Sequence, residues 1–428
     1  MKESLYIVDG VRTPFCKMGT ALSRADAIEL GRTAAAAVLA RTGLDPAQID
    51  EVIFGCVGQP IDAANASRVL ALRAGVPASV PAITVHRNCA SGFEALTQAA
   101  EKINAGRGDI FLVGGTESMT RYPLIYNDSA TKKYGQLAKA KTMGQKVGQM
   151  LKFRPADFAP KVALQLGLSD PVVGVNMGQT AELLARDWRI TRDQQDQFAL
   201  QSHQRAAAAK AKLAEETWPV YPRGGRAPET VTEDNGVREN QTMEALAKLR
   251  PVFEKRGGTV TAGNASQITD GAVALLVMNE AGLKRTGLKP LGRLIDFAYA
   301  GCEPARMGLG PVYAIARAEK RTGLGLKDAE LIEINEAFAA QVLACQAAAA
   351  SADFGRKHLG RETALGEIPN ERLNVNGGGI ALGHPVGATG ARLVLTALKE
   401  LRRRHAKRAL VTLCVGGGQG GALWLEAA

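Results

Sequence analysis

Four short segments carry side chains suited to chemistry. Cys89 stands in RNCASGFEAL, where Phe93, Leu96, Ala100 and Ile103 recur at helical spacing. The pattern predicts a helix with one buried face, opening near Asn88 or Cys89. A thiol at a helix N-terminus meets the positive end of the helix dipole and free backbone N–H groups, and both favour the thiolate. His384 stands in GGGIALGHPVGATGAR, among glycines that allow close backbone approach. Its imidazole suits a general base for a thiol, or a proton donor to a carbonyl oxygen. Cys414 ends a strand-like run in LCVGGGQGG, where backbone N–H groups of the glycine turn can converge on an oxyanion. Asn335 and Glu336 follow another such run in IEINEAFAAQ, and Asn335 could hold a water or donate a hydrogen bond. Each segment also has a plainer reading: a buried structural cysteine, a satisfied histidine, a simple glycine turn, an N-cap.

Together these groups suit acyl transfer through a thioester. One thiolate accepts the acyl group; the other thiol moves a proton to or from carbon or sulfur. Such chemistry needs no metal, flavin or nucleotide. The remaining cysteines, Cys16, Cys56, Cys302 and Cys345, are scattered without a CxxC, which favours free thiols over disulfides or zinc.

The elements that must position these groups read as α/β. Short apolar runs at 4–8, 51–54, 110–113, 273–278, 331–334 and 409–413 predict buried strands. Helical patterns such as 26–41 and 391–404 alternate with them, implying layers with covered sheets. A faint repeat is visible: the Cys89 helix, the strand IFLV and a turn GGTES match the helix GHPVGATGARLVLTALKEL, the strand ALVTL and the turn CVGGGQG. Duplication would bring both glycine turns near a common axis. Residues 119–261 break this rhythm and read as an inserted loop region. The expected division is an N-terminal half over 1–118, completed by about 262–285, then the loop region 119–261, then a C-terminal half over 286–428.

Composition narrows the classes. The chain has 428 residues, a hydrophobic share of 46% and a charged share of 22%, which fits a folded globular protein and excludes disorder. No apolar stretch is long enough for a spanning helix, and MKESLYIVDG lacks a signal-like core, so Met1 is expected to begin a cytoplasmic protein. The net charge of +11 invites a nucleic-acid reading, but RRRHAKR at 402–408 has no interleaved aromatics for base stacking, and no nucleic-acid partner is expected. Anionic substrates, a partner or acidic lipid account for the charge more simply.

NCASG, GNASQITDGA, NEAFAAQ, GGGIALGHPVGATGAR and CVGGGQG occur in one order along the chain, and in that order they resemble the thiolase family over nearly the whole length. The resemblance implies the thiolase fold: two duplicated five-stranded α/β halves stacked as α-β-α-β-α layers, with a loop region projecting from the first. It implies that Cys89 is the acylated nucleophile, Cys414 the acid/base cysteine and His384 the activating histidine. Asn335 and His384 would form one oxyanion hole, and the backbone N–H groups of Cys89 and Gly416 the other. Arg238 and Ser266 would contact coenzyme A, a co-substrate rather than a tightly bound cofactor; no metal site is implied. Asn176 and Ala245 depart from the short-chain synthetic members, which have His and Ser there. Ketoacyl synthases fit less well, lacking the second cysteine.

The implied activity is cleavage of 3-oxoacyl-CoA by coenzyme A to acetyl-CoA and a shortened acyl-CoA, in fatty-acid β-oxidation. The alternatives are condensation of two acetyl-CoA by an acetyl-CoA C-acetyltransferase, or a non-catalytic acyl-CoA-binding scaffold subunit. The family also implies a homodimer or dimer of dimers. Within the insert, 131–161 carries seven Lys, one Arg and a single acid, with Met143, Val147, Met150 and Leu151 at helical spacing. This predicts a basic amphipathic helix. The segment resembles the thiolase subunit of multifunctional β-oxidation complexes, implying an enoyl-CoA hydratase/3-hydroxyacyl-CoA dehydrogenase partner or peripheral membrane contact.

Overall fold

The computed structural model describes residues 3–223 and 230–428, so Met1 lies outside the described residues. In chain order the principal strands are β1 (Leu5–Arg12), β2 (Glu51–Gly55), β3 (Ala82–Val85), β4 (Ile110–Ser118), β5 (Thr269–Met278), β6 (Gly292–Gly301), β7 (Leu331–Ile334), β8 (Arg408–Val415) and β9 (Gln419–Ala427). The helices that matter here are α1 (Ala27–Thr42), α2 (Ala66–Arg73), α3 (Ser91–Asn104), α4 (Asp128–Lys139), α5 (Met143–Met150), α6 (Met177–Asp187), α7 (Arg192–Ala208), α8 (Met243–Ala247), α9 (Gly310–Thr322), α10 (Ala339–Ala350) and α11 (Thr389–Arg404).

The strand order β3-β2-β4-β5-β1 makes the first sheet. β3, β2 and β4 run parallel, and β5 is antiparallel to both β4 and β1. The second sheet repeats this plan. A parallel bridge at Leu373 stands where β3 does, followed by β7, β8, β9 and β6 with the same senses. The two sheets also join along one edge, where Leu5 faces Leu294 and Ile7 faces Gly292 in antiparallel register. The sheet is therefore continuous where the duplicated plan alone implies two separate stacks.

Packing gives five layers. α1 and α2 cover the outer face of the first sheet through Ile28, Leu30, Val38 and Leu70. α9 and α10 cover the outer face of the second through Val312, Ile315 and Val342. Between the sheets lie α3 and α11, whose Phe93, Leu96, Leu393 and Leu398 meet Val113, Leu275, Val411 and Leu413 of both sheets. Strands covered on both faces need no polar alternation, which is why β4 and β5 are buried along their entire length.

Three expectations change. GGTES is the second half of β4, not a turn, and Glu117 is thereby buried at its end. α3 begins at Ser91 with Ala90 as its N-cap, so Cys89 precedes the helix. Residues 131–161 are not one helix: α4 and α5 are separate, and a 3₁₀ turn follows at Pro155–Phe158. Thr142 starts α5 afresh with a capping box to Gln145, which ends any continuous helical run there.

Candidate active site

Cys89 sits in a tight turn between β3 and α3. Asn88 adopts a left-handed φ of 44°, a conformation Asn tolerates better than most residues. The turn is closed by the Ala90 N–H donating to the Arg87 carbonyl at 2.9 Å and the Ser91 N–H to the Asn88 carbonyl at 3.0 Å. Asn88 Nδ2 donates to the Gly416 carbonyl at 2.7 Å, tying this turn to the glycine turn after β8. The backbone N–H groups of Gly416 and of Cys89 itself lie near enough to the Cys89 sulfur to favour its thiolate.

Burial pushes the Cys89 thiol up to about 11, and the two N–H groups only partly oppose it. The helix-terminus expectation of a lowered pKa therefore does not hold: desolvation outweighs the donors. Cys414 is fully buried near the end of β8, and its thiol is held well above the ordinary range by burial, with Cys89 close enough to add to the effect.

His384 is buried, and desolvation lowers it to about 3, so its imidazole is neutral. Its Nδ1 lies 2.6 Å from Thr389 Oγ1, whose hydroxyl donates to the Pro385 carbonyl at 3.0 Å. Because that hydroxyl proton is committed, Nδ1 carries the imidazole hydrogen and Nε2 is the free acceptor. Nε2 lies 3.4 Å from Asn335 Nδ2, which suits this tautomer. Asn335 is buried, and its Oδ1 has no partner among the described residues. Glu336 instead serves structure, accepting from Ser202 Oγ at 2.6 Å and Asn374 Nδ2 at 2.8 Å.

A cavity of about 440 Å³ opens in front of Cys89, lined by Val57, Met119, Tyr122, Leu164, Met177 and Val386, and also by Asn88, Gly416 and the insert residues 166–172. Its walls are mostly apolar, suited to an acyl chain. Arg238 and Ser266 are not on this lining. Arg238 is exposed, and its backbone N–H donates to His203 Nδ1 at 3.1 Å. His203 is buried and lowered to about 4, so it serves as a neutral acceptor. Ser266 is half-buried and its N–H donates to the Ala337 carbonyl at 2.9 Å. Asn176 caps α6, accepting from the Gln179 N–H at 2.9 Å, and Ala245 is exposed on α8.

Sequence reasoning missed Thr389, five residues after His384 in GATGAR, and Glu117 at the end of β4. The first carried a signal, since a hydroxyl at the start of a helix after a histidine loop is well placed to hold an imidazole. Glu117 carried none, because three of its four partners, Val57, Gly58 and Gly387, come from distant segments.

The chain is matched by the model of the thiolase N-terminal domain over residues 5–281 and by that of the thiolase C-terminal domain over 288–427. It is 40% identical over 428 residues to a 3-ketoacyl-CoA thiolase of Pectobacterium atrosepticum, covering 99% of this chain and 97% of the relative. A 3-ketoacyl-CoA thiolase of Serratia proteamaculans is also 40% identical, with the same coverage. Among solved structures, the acetyl-CoA acetyltransferase of Bacillus anthracis superposes with a TM-score of 0.86 at 36% identity, covering 100% of this chain and 99% of the other. The human mitochondrial 3-ketoacyl-CoA thiolase gives 0.85 at 36% identity, with the same coverage. With one fold, one duplicated plan and full-length relatives, the chain belongs to the thiolase family.

Proposed function

We propose that this chain is a 3-ketoacyl-CoA thiolase, an acyltransferase that cleaves 3-oxoacyl-CoA with coenzyme A. The observation that carries the reading is the Cys89 turn, tied through Asn88 to the Gly416 turn, with both on the wall of an apolar cavity. In this reading His384 Nε2 takes the Cys89 proton as the sulfur attacks the 3-oxo carbon. With thiol and imidazole both neutral at rest, the thiolate forms only as it attacks. The new Nε2–H and Asn335, through a water, stabilise the oxyanion. The C2–C3 bond breaks, Cys414 gives its proton to C2, and acetyl-CoA leaves. Coenzyme A then gives its thiol proton to Cys414 and attacks the Cys89 thioester; the shortened acyl-CoA leaves and Cys89 takes its proton back from His384 Nε2. The N–H groups of Cys89 and Gly416 serve the second oxyanion.

Coenzyme A as co-substrate is supported by a solved human mitochondrial 3-ketoacyl-CoA thiolase in complex with CoA, of TM-score 0.84 and 36% identity. Arg238, exposed beside α7, and half-buried Ser266 are assigned to its adenine and pantetheine ends. The acetyl-CoA C-acetyltransferase reading keeps the same site, and the Bacillus anthracis neighbour bears that name. The insert wall of the cavity favours acyl groups longer than acetyl. The assembly we infer is a homodimer or dimer of dimers in the cytoplasm, with a hydratase/dehydrogenase subunit or membrane surface as partner of 131–161. No helix among the described residues is long and apolar enough to cross a membrane.

Mass spectrometry after acyl-CoA incubation should find the thioester on Cys89. Cys414→Ser should keep acylation but lose C–C bond making and breaking, whereas His384→Ala should slow acylation itself by about 10²–10⁴. Acylation elsewhere, or equal mild losses in both variants, contradicts the assignment. Thiolysis rates from short to long 3-oxoacyl-CoA separate the two activities.

A further inference from the structure

One buried carboxylate touches none of the groups assigned above yet holds the segments that carry them. Glu117 ends β4 with no solvent exposure. Its Oε1 accepts from the Gly58 N–H at 2.8 Å and from Tyr122 Oη at 3.0 Å. Its Oε2 accepts from the Val57 N–H at 3.1 Å and from the Gly387 N–H at 2.9 Å. Gly387 lies three residues past His384, in the loop between that histidine and α11. Val57, Tyr122 and Val386 line the cavity in front of Cys89. Four neutral donors from three separate segments thus share one carboxylate.

The loop is seated so closely that only glycine fits. A Cβ on Gly387 would lie 2.7 Å from the Thr116 carbonyl and 2.9 Å from Glu117 Oε2, and one on Gly115 would collide with the Gly387 carbonyl. The end of β4 is therefore the platform on which the histidine loop rests. We propose that Glu117 is a positioning residue that, by accepting these four hydrogen bonds, sets the histidine loop against the acyl-cavity wall and so places His384 for acylation of Cys89. An uncharged amide cannot replace it, because Gln offers one acceptor oxygen and turns an NH₂ donor toward N–H donors. Burial raises Glu117 to about 7, so accepting these donors competes with protonation near neutral pH. The titratable groups facing it are Tyr122, Cys56 and Cys89.

This inference rests on the acyl-transfer reading. The test measures single-turnover acylation by acetyl-CoA, followed by mass spectrometry at Cys89, in wild type, Glu117→Gln, His384→Ala and the double variant. Wild type that is never acylated at Cys89 defeats the reading itself. Given wild-type acylation, Glu117→Gln should slow it by about 10- to 100-fold, the scale of a small misplacement of a reacting group. Loss of these buried hydrogen bonds should also lower its melting midpoint, so the rates are compared at a temperature where every variant is folded. In the His384→Ala background the same change should cost less than about twofold, because a residue acting through His384 has nothing left to position. A Glu117→Gln rate within about twofold of wild type, or a fully additive loss in the double variant, overturns the proposal. If Glu117→Gln does not fold, Tyr122→Phe removes one donor and is put through the same cycle; a wild-type rate, or additivity with His384→Ala, is then the overturning result.

Discussion

At the Cys89 sulfur two effects oppose each other. Backbone N–H groups favour the thiolate and burial disfavours it; burial wins, leaving the thiol at about 11. Below that value the thiolate fraction grows about tenfold for each pH unit, so Cys89 alkylation by iodoacetamide should climb steeply from pH 7 to 9. Peptide mass spectrometry at fixed reagent and time would show it. A rate flat across that range would mean a resting thiolate–imidazolium pair, against the neutral His384 placed by its burial. At this scale residue type and motif single out Cys89, His384 and Cys414 as candidates, because few side chains can do such chemistry. The sign of the Cys89 shift was not readable, since it depends on desolvation by distant segments and on Ser91 rather than Cys89 opening the helix. The hydrogen bond from His384 Nδ1 to Thr389 likewise needs a backbone turn that spacing alone does not specify.

Among the elements, α3 and α11 do most to assemble the site. They meet at glycines near their N-termini: a Cβ on Gly92 would lie 2.6 Å from the Ala391 nitrogen, and one on Gly390 would lie 2.5 Å from the Phe93 nitrogen. Backbone cannot yield as a flexible side chain can. Gly390→Ala should therefore cost about 1–3 kcal/mol by overpacking and slow Cys89 acylation, because the Cys89 turn and the His384 loop both feed these helix starts. Denaturant melts and single-turnover rates check both parts. Gly148→Ala, on α5 with open space around its Cβ, is the control: it should leave the acylation rate unchanged and stability unchanged or up to about 1 kcal/mol higher. The strands found in sequence were the continuous apolar runs; β7 coincides with 331–334. Those missed have physical reasons. β3 is a short, half-exposed strand at the end of its sheet, β6 alternates buried with half-buried positions and carries Arg293 and Asp296, and β9 opens with glycines. The faint repeat was legible in α3–β4 and α11–β8, but its full five-position correspondence required the strand order.

Over the whole molecule, charge and apolar surface meet in the insert. α5 buries none of its residues, and Met143, Val147, Met150 and Leu151 are all exposed, Met143 to 77% and Leu151 to 80%. This part of the insert is held internally by Tyr126, Tyr134, Phe153 and Phe158, which pack ring against ring in successive pairs. Such a supported apolar tip among lysines is unusual for a surface that faces only water. Lys133 is committed to Asp157 at 2.6 Å, whereas Lys139, Lys141, Lys146 and Lys152 are exposed. Each lysine close to an anionic surface contributes about 1 kcal/mol, trimmed by screening over roughly 8 Å at physiological salt. Each apolar side chain fully buried on docking adds about 1.5–3 kcal/mol. The two terms act together only on a surface both anionic and apolar beneath. Co-sedimentation with phosphatidylserine-containing vesicles should capture the wild type at low salt and less at high salt. Met143→Glu with Leu151→Glu should abolish capture while leaving thiolysis of a short 3-oxoacyl-CoA unchanged. Equal vesicle binding by the double variant, or none by the wild type while it pulls down a hydratase/dehydrogenase subunit, would assign the tip to that protein partner instead.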